Sequence, residues 1–230
     1  MRLISFLMMA IISFASLAQQ ETQTSQPTTV NPQITDAVTS TPAADIAKPY
    51  VTLQTSKGDI VLELYPEKAP ITVANFLAYA NEGFYNGVIF HRVMKDFMIQ
   101  TGGFDTNMMR KAPKAEIKNE ADNGLFNNRG SVAMARTAKV DSATSQFFIN
   151  VKNNYFLNNG YRDFGYAVFA NVIHGLDIMD AIALEKTGAK NGMRDVPVEP
   201  ILIKQAIVSY EKPDASELTS LILPAVENAQ

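Results

Sequence analysis

From Tyr50 onward the chain is cut into short runs in which apolar residues alternate, and only twice does the apolar spacing lengthen to that of a helix. Many short strands with two helices point to an antiparallel sheet rolled into a barrel. Val51, Leu53 and Thr55 alternate, Ser56-Lys57-Gly58-Asp59 offers a turn, and Ile60, Leu62 and Leu64 alternate again, which predicts a β-hairpin. After Pro66 the period changes. Val73, Phe76, Leu77 and Ala80 fall at i, i+3, i+4 and i+7, with Pro70 in the first turn and Gly83 beyond the end, so a helix is expected. Further strands are expected at 88–93, 97–100, 131–136, 146–151, 166–172 and 200–209. A second helix is expected over 176–184, with Leu176, Met179 and Ile182/Ala183 on one face and Asp177 in the first turn, where negative charge suits the helix dipole. The stretches 102–128 and 152–165 are too long for simple turns, and loops of that length in a compact domain are usually functional.

Ahead of this pattern stands a different kind of sequence. Arg2 is followed by an apolar run over 3–15, and Ser16-Leu17-Ala18 offers small residues for a cleavage after Ala18. That is the anatomy of a signal peptide. The run is too short to cross a bilayer core of roughly 30 Å, so no stable membrane span is expected after cleavage. The expected location is the periplasm, with full secretion as the lesser alternative. Residues 19–48 are rich in Gln, Thr, Ser, Pro and Ala and read as a disordered linker. The folded domain is expected over 49–210. A tail over 211–230 follows, with one apolar patch at Leu218, Leu221, Ile222 and Leu223.

Composition removes several function classes. The chain has no cysteine, which excludes disulfides, thiolate metal sites and cysteine nucleophiles. A formal charge of -3 gives no reason to expect nucleic acid as a partner. Two histidines, His91 and His174, are too few for a zinc site, so no metal and no cofactor is expected. A Ser145–His91–Asp141 triad has nothing in the spacing to favour it, and His91 reads better as a buried histidine tied to backbone groups. Phe97 and Met98 would point to opposite faces of one strand, so a bend is needed to use both. From pattern alone Phe97, Met98 and Phe148 read as barrel core.

Longer motifs change that reading. Phe90-His91-Arg92-Val93, Asp96-Phe97-Met98-Ile99-Gln100 and Gly102-Gly103 resemble the cyclophilin signature. So do the run 117–125 with Arg129-Gly130, the segment Ala133-Met134-Ala135-Arg136-Thr137, the run 141–151 and the stretch 165–170. The resemblance runs in order over about 50–210. It implies a closed eight-stranded antiparallel β-barrel capped by two α-helices, with an outer groove for X-Pro segments and peptidyl-prolyl cis-trans isomerase activity. Arg92 would be the catalytic arginine. Phe97, Met98, Phe148 and Leu157 would wall the proline pocket. Gln100 and Gln146 would hydrogen-bond the peptide, and the backbone of Ala135 and Arg136 would hold it extended. Two aromatic residues depart from the family pattern: Phe156 stands where tryptophan is common and Tyr166 where histidine is common. Thr101 replaces a usual glycine, which would strain the loop if φ is positive there.

The implied partners are proline-containing peptides and exported proteins during folding, bound by a monomer. Two alternatives remain at this point: a peptide-binding module without catalysis on the same fold, and a hydrolase using His91.

Overall fold

The structure, a computed structural model, describes residues 48–213. The expected signal peptide, almost all of the linker and the tail beyond Pro213 lie outside the described residues.

In chain order the elements are β1 (Tyr50–Thr55), β2 (Gly58–Leu64), α1 (Pro70–Asn81), β3 (Val88–Ile89), β4 (Arg92–Met94), β5 (Met98–Thr101), β6 (Ser131–Met134), β7 (Phe147–Asn150), a 3-10 turn (Tyr155–Leu157), β8 (Val168–His174), α2 (Leu176–Ala183), β9 (Thr187–Lys190), β10 (Met193–Pro197) and β11 (Leu202–Ser209). Nine strands form one strongly curled antiparallel sheet in the order β3-β11-β1-β2-β8-β6-β7-β5-β4. The eight runs expected from sequence yield nine strands because the run at 88–93 breaks. Phe90 still donates its N–H to Ile201 O beside β11, whereas Arg92 already pairs with Gln100 of β5. The chain therefore changes partner at His91, and the two halves of one expected strand end up at opposite ends of the sheet order. No ladder between β3 and β4 occurs among the described pairings, and the sheet is a half-barrel in that sense.

The alternation read from sequence sorts side chains onto the two faces of this sheet. Val51, Leu53, Ile60, Leu62, Leu64, Ile99, Val132, Phe147 and Ile149 all enter the main core. Helix α1 closes that core with Phe76, whose ring lies 5.0 to 5.2 Å from those of Tyr85, Phe147 and Phe169. Helix α2 buries Met179, Ile182 and Ala183 as expected from their spacing, but Leu176 is 40% exposed. Its first-turn position puts it past the edge of the buried face. The hairpin of β9 and β10 was not expected, because Thr187, Gly188, Ala189 and Lys190 offer no apolar alternation and stay largely outside the core.

The start of α1 has no local side-chain cap. Glu120, far along the chain, takes that role: its two carboxylate oxygens accept from the N–H groups of Ile71 (3.0 Å) and Thr72 (2.8 Å). These are two of the donors that a helix start leaves unpaired, and the negative charge faces the positive end of the dipole. Glu120→Ala is expected to lower unfolding stability by about 1–2 kcal/mol, read from the shift in urea midpoint. An unchanged midpoint would show that the carboxylate contributes nothing.

Candidate active site

The site grows out of the outer face of the sheet. Along β5 and β7, Ile99, Phe147 and Ile149 turn inward, so Met98, Gln100 and Phe148 turn outward. Register then lines up Arg92 with Gln100, Gln100 with Phe148, and Phe148 with Ala133. Met98, Phe148, Leu157, Ala133 and Val168 form a second, smaller apolar cluster, with Phe97, Ala135 and Tyr166 packed against it. The sheet is thus covered on both faces here. That explains why Phe147-Phe148-Ile149 reads as an unbroken apolar run rather than an alternating one.

An open cavity of about 110 Å³ sits on this cluster. All the site residues expected from sequence line it except Gln146 and Phe156. Gln146 borders an adjoining polar cleft and accepts a 2.9 Å hydrogen bond from the Gln100 side chain. It lies so close to Gly103 that a Cβ there would sit 2.7 Å from its amide. Phe156 backs the wall from outside, its ring stacked on that of Phe97 at 5.7 Å. The conflict between Phe97 and Met98 is resolved by the chain path. Phe97 lies in the turn before β5 and Met98 is the first strand residue, so both reach the same cavity. Thr101 carries no left-handed strain either. It lies within β5 and donates its hydroxyl to Ile89 O at 2.9 Å, and the left-handed residue is Gly102 (φ 86°), one position later.

Arg92 is the cation on the rim. Its guanidinium lies 5.9 Å from the centre of the Phe97 ring. Among the described residues Nη2 meets only the Met94 sulfur, a weak acceptor, at 3.1 Å, and Nε lies 4.0 Å from a carboxylate oxygen of Asp195 on β10. Sequence reasoning missed Asp195, because it missed the hairpin that carries it. Arg136 behaves differently. Its side chain is 5% exposed and all three nitrogens are engaged, with Gly165 O, Thr137 O and Asp163 Oδ1 at 2.9 to 3.0 Å. The guanidinium lies 4.7 Å from the Tyr166 ring centre, so it braces that wall. The Ala135 N–H is already donated to Gln146 O.

His91 does not line the cavity. It is buried against Phe104, Nδ1 has no hydrogen-bond partner among the described residues, and burial pushes its pKa down to about 4 against weaker opposing pulls from the Ile89 backbone and Gln146. Asp141 Oδ1 accepts from the Asn119 N–H, and Ser145 is buried. The three residues do not form a triad, which removes the hydrolase alternative. Among the described residues no group of His, Asp or Glu stands close enough together to hold a metal ion, and no helix is long and apolar enough to cross a membrane.

Comparison with known proteins agrees with this fold. Residues 50–208 match the family described as cyclophilin type peptidyl-prolyl cis-trans isomerase/CLD. The chain is 54% identical over 157 residues to peptidyl-prolyl cis-trans isomerase A of Dickeya dadantii, covering 68% of this chain and 83% of that one. It is 52% identical over 162 residues to isomerase B of Escherichia coli, covering 69% and 99%. A crystal structure of a cyclophilin-type isomerase from Cryptosporidium parvum is similar with a TM-score of 0.60 at 25% identity, covering 72% of this chain and 99% of the other. The curled sheet, the two helices and these matches agree, and the chain belongs to the cyclophilin-type peptidyl-prolyl cis-trans isomerases.

Proposed function

We infer that this isomerase takes an X-Pro segment with the proline ring on Met98, Phe148 and Leu157 and with Arg92 as the catalytic residue. Resonance keeps the X-Pro bond planar and makes its rotation take tens to hundreds of seconds. At the twisted midpoint the amide is less charge-separated, so an apolar cavity disfavours the planar form relative to the twisted one. A fixed donor on the proline nitrogen or the neighbouring carbonyl adds to that difference. The Arg92 guanidinium offers several donors in a rigid planar fork. No covalent bond breaks, so neither a base nor a metal is required. Removing roughly 7 kcal/mol from the barrier corresponds to about 10⁵-fold acceleration.

The observation that carries this reading is the apolar cavity with a lightly engaged arginine on its rim. Gln100 and Gln146 hydrogen-bond the bound backbone at its edge, with Ala135 and Arg136 alongside. The substrates are exported proteins, since Arg2 and the apolar run after it have the make-up of a signal peptide.

The test is NMR exchange on an Ala-Pro peptide from pH 6 to pH 9. Exchange is expected to be accelerated at every pH, with nearly constant kcat/KM, because the mechanism uses no general acid or base. A steep inflection near the usual histidine pKa, or no acceleration at all, would overturn the reading.

A further inference from the structure

We propose that three buried asparagines, Asn127, Asn150 and Asn154, are positioning residues that set the spacing of the proline pocket's walls. The proposal rests on the reading of the 110 Å³ cavity as that pocket. All three side chains are fully buried. The Asn154 amide donates to Phe97 O at 2.8 Å and to Asn150 Oδ1 at 2.8 Å. The Asn150 amide donates to Ser131 Oγ at 2.9 Å and to Asn127 Oδ1 at 3.2 Å. The Asn127 amide reaches Leu157 O at 3.2 Å and Tyr166 O at 3.4 Å. The backbone closes the frame, with the Asn154 N–H donated to Asn127 O at 2.7 Å. One chain of side-chain amides therefore joins the backbones of Phe97, Leu157 and Tyr166, and each of these residues lines the cavity.

These walls lie outside the strand ladders, where single backbone bonds such as Val151 N–H to Phe97 O and Tyr166 N–H to Leu157 O hold them rather than a ladder. Phe97 lies in a turn, Leu157 ends a 3-10 turn, and Tyr166 precedes β8. Apolar contact alone is non-directional and leaves such segments free to slide. Hydrogen bonds in a buried network select one spacing, because any slip leaves polar groups unpaired in an apolar surrounding. Asn154 shows which half of its amide matters: among the described residues Oδ1 has no partner while the Nδ2 group has two. A buried acceptor without a partner is unfavourable, so the side chain serves here through its donors.

The test separates kcat from KM for the Ala-Pro peptide, at a temperature well below each variant's unfolding midpoint. Asn154→Ala is expected to lower kcat/KM about tenfold, mainly through KM, because a wall displaced by a fraction of an ångström weakens the seat of the proline ring. Arg92→Ala should act through kcat instead. Should Asn154→Ala fail to fold, Ser131→Ala removes only the hydroxyl that anchors Asn150, and the same sign in KM is expected at about threefold. Folded variants with a lowered unfolding midpoint and native kcat/KM would overturn the proposal and leave the asparagines a purely structural role. The wild-type protein in the same assay keeps the two ideas apart: no acceleration by wild type sinks the pocket reading, whereas an active wild type with unchanged variants sinks only the positioning role.

Discussion

Arg92→Ala is expected to lower kcat/KM for an Ala-Pro peptide by about 10²–10³-fold, the size of effect seen when one preorganised donor aimed at a transition state is removed. The loss should fall on kcat, since the apolar floor that seats the ring is untouched. The fold should be preserved as well. The Arg92 side chain is 38% exposed, its only ion pair among the described residues is a 4.0 Å approach to Asp195, and exposed pairs of that kind contribute at most about 1 kcal/mol. Arg92→Lys provides the sharper comparison. It keeps the charge but replaces a planar fork with a point donor on a flexible stem, so an intermediate rate is expected. If charge alone mattered, lysine would restore full activity. If Arg92→Ala retained native kcat with circular dichroism unchanged, the arginine would have no part in the chemistry.

Acidification should cost the fold about 3 kcal/mol through His91 alone. Burial lowers its pKa from 6.5 to about 4, so the native state holds it neutral while the unfolded chain protonates it. The sign follows from proton counts. Between pH 6.5 and pH 4 the unfolded state binds more protons, so stability rises with pH across that window and is fully present above it. About 2 kcal/mol is gone by pH 5 and about 3 kcal/mol by pH 4. Urea unfolding of wild type and His91→Gln at a series of pH values isolates this contribution. The wild-type curve should fall more steeply as pH drops, and the two should run parallel above pH 7. Asp59 acts in the opposite direction, because burial raises its carboxyl pKa and its protonation stabilises the fold as pH falls, but it is common to both proteins. Parallel curves down to pH 4 would mean that His91 is accessible to protons in the native state.

The parts of this protein that were legible without a structure are those governed by neighbours in sequence. The β1–β2 hairpin and α1 follow from apolar spacing within a dozen residues, and Met179, Ile182 and Ala183 were placed on the buried face of α2 by the same reasoning. Periodicity also marked Phe147 and Phe148 as apolar, yet it could not say that one enters the main core and the other the outer cluster, since both faces of that strand are covered. Without the motif resemblance, Phe148 would have remained a core residue. The polarity of 187–190 concealed the β9–β10 hairpin, and with it Asp195.

By itself the sequence determined the mainly β architecture, both helices, and, through its motifs, the residues gathered on the cavity. Local spacing and local identity are enough for those. Tertiary structure decided the rest: the change of strand partner at His91, the capping of α1 by Glu120, and the asparagine frame behind Phe97, Leu157 and Tyr166. Each of these joins groups far apart along the chain through hydrogen bonds that form only over a few tenths of an ångström. Such contacts depend on the register of the whole sheet, and no stretch of sequence read on its own carries that register.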